Sequence, residues 1–221
     1  MADDFNSLIE NQDFEWVVLP SHGECYPHKR DRMAVKYMTV AHEEVLYKDG
    51  CDALLRRVIV DPVDFDVDRL CVGDRNAILI HIRRMNFGDK FKNPVDGEIV
   101  DLSLLKPKPF SLKGDDNGLF TYLCIDGRAM KFKMLTHHQE IETMAVYKDE
   151  PDKLSAITLA HCIGNASVQG CGSEAVFQSL TESEMISFAK YIVFNRPDLD
   201  FSVISDIAID ESLFSDAYNP Y

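Results

Sequence analysis

No apolar run in this 221-residue chain approaches the roughly 20 residues that a membrane-spanning helix needs; the longest, such as 77–80, are far shorter. A basic stretch followed by an apolar one is missing from the start, Met1-Ala2-Asp3-Asp4-Phe5, so no secretory leader is expected. Neither common glycine-rich phosphate loop is present, nor a nucleophile elbow. Gly164 and Gly170 flank Ser167, but at the wrong spacing, and residues 164–172 read as a small-residue loop. Basic residues are absent from both ends. Residues 1–28 contain six acids and no Lys or Arg, and residues 197–221 contain another six and again no Lys or Arg.

The ends therefore carry −12 of the net charge of −14, and residues 29–196, with 23 bases and 25 acids, are close to neutral. Nucleic acid and anionic membranes recruit a basic face, so neither is expected as a partner. Acidic ends suit docking on a basic protein surface, or serve solubility alone. Hydrophobic residues make up 46% and charged residues 27%, the balance of a globular protein whose core needs no staples. The six cysteines (25, 51, 71, 124, 162, 171) are scattered and read as reduced, buried thiols.

The pattern along the chain is mixed. Residues 1–13 form an acidic arm. Residues 14–19 and 33–38 alternate as paired strands, with a turn at Pro20-Ser21-His22-Gly23. Thr39 is suited to cap a helix running to about Leu55. Asp74 reads as the N-cap of a strong helix with Ile78, Leu79, Ile82 and Met85 on one face and Gly88 at its exit. A hairpin follows, turning at Asn93-Pro94-Val95-Asp96-Gly97. Residues 106–118 read as a linker. A second strand pair, 119–125 and 129–135, turns at Asp126-Gly127. Capping boxes at Thr136 and Thr181 open further helices, with a short helical stretch at 154–163 between them. Pro197 stops the last helix, and residues 198–221 form an acidic tail dotted with apolar residues. The expected class is α+β, with two related hairpin-plus-helix units (14–105 and 119–197) and additional helices in the C-terminal third. The units echo one another: a strand turning at Gly, a second ending in Thr, then a Glu four residues on.

Candidates for chemistry are few. His161, Cys162 and Cys171 form the one Cys/His cluster of the second half, but a structural zinc site wants a fourth ligand and usually a close Cys pair. His137 and His138 are adjacent, so on a helix they diverge. Cys162 beside His161 diverges likewise and pairs poorly as nucleophile and base. No catalytic, metal or cofactor-binding residue is assigned.

One family fits at this point. The block Leu19-Pro20-Ser21-His22-Gly23, followed by Tyr26, Tyr37-Met38-Thr39 and Glu43-Glu44, resembles the opening of the baseplate hub proteins of T-even-type contractile-tailed phages. A second block, Gly73-Asp74-Arg75-Asn76-Ala77-Ile78-Leu79 with Ile82-Arg83 and Asn86-Phe87-Gly88, resembles that family's Gly-Asp-Arg helix entry and aromatic-Gly exit; Val100-Asp101-Leu102 is a third. Many relatives place a Cys-Pro-x-Cys-Gly knuckle in the hairpin. This chain keeps Pro94 and Gly97 but has Asn93 and Asp96 in place of the thiols, so no zinc is expected there.

The resemblance implies a non-enzymatic baseplate component that contacts other hub proteins, residing in the virion tail and, during assembly, in the host cytoplasm. The alternatives are an assembly chaperone absent from the finished particle and a metal-dependent enzyme built on His161, Cys162 and Cys171. The residues carrying the motif, Pro20, Gly23, Thr39, Gly73, Asp74, Arg75, Arg83, Gly88, Pro94, Gly97 and Asp101, are expected to be structural, with Arg83 pairing with a carboxylate such as Asp101.

Overall fold

The computed structural model describes residues 14–60, 66–94, 96–149, 154–167, 173–204 and 207–218. The arm at 1–13, Val95 and Cys171 lie outside them. The class is α+β: helices and small antiparallel hairpins. Among the described residues no helix is long and apolar enough to cross a membrane.

Strand β1 (Phe14–Val18) pairs with β2 (Arg32–Lys36), Phe14 opposite Lys36 and Val18 opposite Arg32. The pleat sends Val17 inward with Met33 and Val35, while Trp16 and Val18 face out. Helix α1 (Val40–Asp49) begins at Thr39, whose amide donates to His42 Nδ1 at 3.0 Å. The single helix expected to reach Leu55 is two helices. Gly50, at φ 88°, ends α1 and opens α2 (Cys51–Val58) in a backbone region that side chains resist.

Helix α3 (Val72–Phe87) is the axis of the molecule. Val72, Ala77, Ile78, Leu79, Ile80 and Ile82 are all buried, so it lacks the exposed stripe of a surface helix. It packs on β1, β2 and α4 and on the short helices at Leu102–Leu104 and Glu211–Tyr218. It ends where expected, with the Gly88 amide donating to the Arg84 carbonyl. The second hairpin, β3 (Lys90–Lys92) and β4 (Ile99–Asp101), follows.

The third hairpin, β5 (Phe120–Leu123) and β6 (Ala129–Phe132), places Tyr122 and Phe132 against Phe188 and Tyr191 of α7 (Glu182–Phe194), with Phe120 packed on Phe132. Helix α4 (His137–Asp149) opens with a reciprocal bond between Thr136 and Gln139, and α7 with one between Thr181 and Glu184, both as the spacing predicts. Helix α5 (Leu154–Ser167) continues through Gly164, so the loop expected from that glycine is helical to Ser167. Helix α6 (Ser173–Gln178) leads into α7.

Residues 106–118 are tied at both ends. Lys108 N donates to the Asp198 carbonyl and Asp200 N to the Lys106 carbonyl, each at 2.8 Å. Gly114 N donates to Glu24 Oε2 at 3.1 Å, and Phe110 meets Phe120 edge-on.

The acidic tail folds back onto α2 and α3 and is not a free arm across its described residues. Leu199, Leu213 and Phe214 are buried. Glu211 Oε1 accepts from Cys51 N at 3.2 Å, supplying a negative charge to the N-terminus of α2. The acids of this segment that touch the body are thus used within the fold.

Candidate functional site

Of the motif residues picked from the sequence, Pro20, Gly23, Gly73, Asp74 and Arg75 gather at the first turn of α3, while Thr39, Arg83, Gly88, Pro94, Gly97 and Asp101 lie elsewhere. Asp74 does not cap the helix; Cys71 stands at the N-cap and Asp74 is the third helical residue. Its carboxylate reaches a chain segment 53 residues earlier. Oδ1 accepts from Ser21 N at 2.8 Å, while Oδ2 accepts from Ser21 Oγ at 2.5 Å and from Tyr26 Oη at 2.7 Å. The Tyr26 oxygen in turn accepts from Cys71 N at 3.1 Å, and Cys71 Sγ lies 3.4 Å from it. Asp74 is wholly buried. Burial pushes its carboxyl above the ordinary range, and the bonds from Ser21 and Tyr26 offset part of that rise. Burial, then the charge of Asp74, holds the Tyr26 phenol well above its usual value.

Two glycines make the approach possible. Gly73 packs so tightly that a Cβ there would lie 2.0 Å from the Pro197 carbonyl oxygen. Gly23 sits at φ 78°, where a Cβ would lie 2.4 Å from the Arg30 carbonyl oxygen. Pro20 is buried at the start of the same turn. Beside it Glu24 accepts from Lys29 at 2.7 Å and Lys113 at 3.0 Å. Burial pushes Glu24 up, but the two lysines and the Gly114 amide outweigh it, leaving the carboxyl below its ordinary value.

The arginines hold the far side. Arg75 Nε donates to Asp52 Oδ1 at 2.6 Å and its Nη1 to the Ile209 carbonyl at 3.5 Å. Arg83 donates to the carbonyls of Leu213, Gly88 and Lys90 at 3.0 to 3.1 Å and lies over the Phe87 ring. The expected partnership of Arg83 with Asp101 does not form. Asp101 is held by Lys90 at 2.6 Å and by Ser103, which together bring its carboxyl down to about 2.

Pro94 and Gly97 lie in the exposed turn of the second hairpin, closed by Gly97 N donating to the Asn93 carbonyl. The described residues hold no group of three or more His, Cys, Asp or Glu placed to share a metal ion. His161 Nε2 lies 3.9 Å from Glu142, and Cys171 is outside the described residues. Burial raises the thiols of Cys51 and Cys162 to about 12, so neither is a thiolate near neutral pH.

The junction is thus a closed clamp: each carboxylate oxygen of Asp74 is taken, and no solvent reaches it. Ser21, Tyr26, Cys71, Asp52 and Glu24 are the members that sequence reasoning missed as participants. Ser21 and Tyr26 stood inside the quoted motif, but nothing local says that a serine and a tyrosine meet an aspartate so far along the chain. Compared with known protein families, with curated proteins and with solved structures, the chain matches none.

Proposed function

We propose that the chain is a non-enzymatic component of the baseplate hub of a contractile phage tail, acting through contacts with other hub proteins. The observation that carries this reading is the joint presence of the two motif blocks around Ser21 and Asp74, the blocks that resemble the hub family. Their meeting in one clamp supports treating them as a single unit of sequence, since a change in either partner would leave the other unsatisfied. The acidic balance of the chain supports a protein partner over nucleic acid. On this reading the chain works in the virion tail and passes through the host cytoplasm during assembly. Silencing the gene in the virus and imaging the lysate tests it: heads should accumulate without functional tails. Normal, infectious tails lacking the chain would overturn it.

A further inference from the structure

Helix α7 is anchored on one side and bare on the other. Phe188 and Ile192 are buried, whereas Ile186, Val193 and Phe194 are 47%, 73% and 89% exposed. These three line a shallow surface cavity of about 740 Å³ together with Ala189 and Lys190. Apolar groups gathered on one helix face in this way mark a contact surface. The charges around them say what fits. Glu182, Ile186 and Lys190 are spaced by four residues, so they follow one another along one side of the helix, a turn apart. Both charged residues are exposed, and among the described residues neither has an ion-pair partner.

We propose that this face joins two copies of the chain, with the two α7 helices antiparallel and Ile186 near the two-fold axis. In that arrangement Lys190 of each copy stands level with Glu182 of the other, giving two reciprocal ion pairs around an apolar centre. A parallel arrangement would set Lys190 on Lys190 and Glu182 on Glu182, so the charge order selects the isologous, closed pairing. Ala189 leaves room for close approach, and Val193 extends the apolar strip. This inference stands apart from the phage reading: the failure of one leaves the other standing.

Sedimentation of the full chain over a wide concentration range is the test, with far-UV circular dichroism confirming that each variant is folded. The wild type should show a concentration-dependent dimer. Lys190→Glu should weaken it roughly tenfold or more by setting like charges together. The double reversal Glu182→Lys with Lys190→Glu should restore it. Ile186→Cys should cross-link to itself through a short bis-maleimide beyond the wild-type background. A monomer at every concentration, a dimer indifferent to Lys190→Glu, or no cross-linking at position 186 would overturn the proposal.

Discussion

The first turn of α3 and the outer face of α7 use their side chains in opposite ways. At α3 a carboxylate, two hydroxyls and a backbone amide are sealed away from water and satisfy one another. At α7 an isoleucine, a valine and a phenylalanine face the solvent. A buried polar cluster costs free energy unless every member is bonded, so it specifies one arrangement of the segments that supply it. An exposed apolar strip costs nothing in the fold and has a use only when something covers it. The comparison assigns the motif residues to holding the fold and the unremarked face of α7 to meeting a partner.

Breaking the inner side should have the largest effect. Asp74→Ala leaves the Ser21 amide and hydroxyl and the Tyr26 hydroxyl without their acceptor. It should cost about 3–5 kcal/mol in chemical unfolding, a large fraction of a domain's stability. Gly73→Ala should follow at about 3 kcal/mol, because the methyl meets the Pro197 carbonyl backbone and the tail must shift. The signature is lost protection from amide exchange at Leu199 and Asp200. Loss confined to α3 would contradict the packing.

A subtler pair of variants separates two kinds of buried carboxylate by pH. Asp74 binds its proton more readily in the folded chain, so its contribution is full below its ordinary value of 3.8 and declines as pH rises through the folded pKa. The stability gap between wild type and Asp74→Asn should therefore narrow from acid to neutral pH. Glu24 is depressed, so its contribution is present above 4.5 and is lost as pH falls. The gap to Glu24→Gln should close in acid. Parallel profiles for the two variants would contradict the assignments. The smallest effect belongs to the outer face: Val193→Ser should change monomer stability by less than about 0.5 kcal/mol in a melt at low concentration.

What was legible in the sequence was local. The α+β class, the three turns, the helix start at Thr39, the capping boxes at Thr136 and Thr181 and the exit at Gly88 depend on residues within a few positions of one another, and periodicity and capping rules read them. The misread elements depend on distant partners or on competition. Asp74 has the chemistry of an N-cap, but Ser21 and Tyr26 offer it better bonds once the fold forms. Gly50 looked tolerable inside a helix, yet Glu211 waits beside it to cap the next one. Arg83 lies deep enough to reach three carbonyls, while Lys90 sits directly across from Asp101 in the hairpin register. Gly164 suggested a loop, and helix α5 simply runs through it, with Cys162 and Ile163 in the core. The tail's acids suggested an arm that docks on a partner or is merely solvated; the apolar residues among them, Leu199, Leu213 and Phe214, place its described part on the body.

The most direct test of the functional account is quantitative mass spectrometry of purified virus particles beside the infected-cell lysate. A structural hub component should appear in the particle at a fixed, small copy number. Abundance in the lysate with absence from the particle would contradict that role and make the chain an assembly factor.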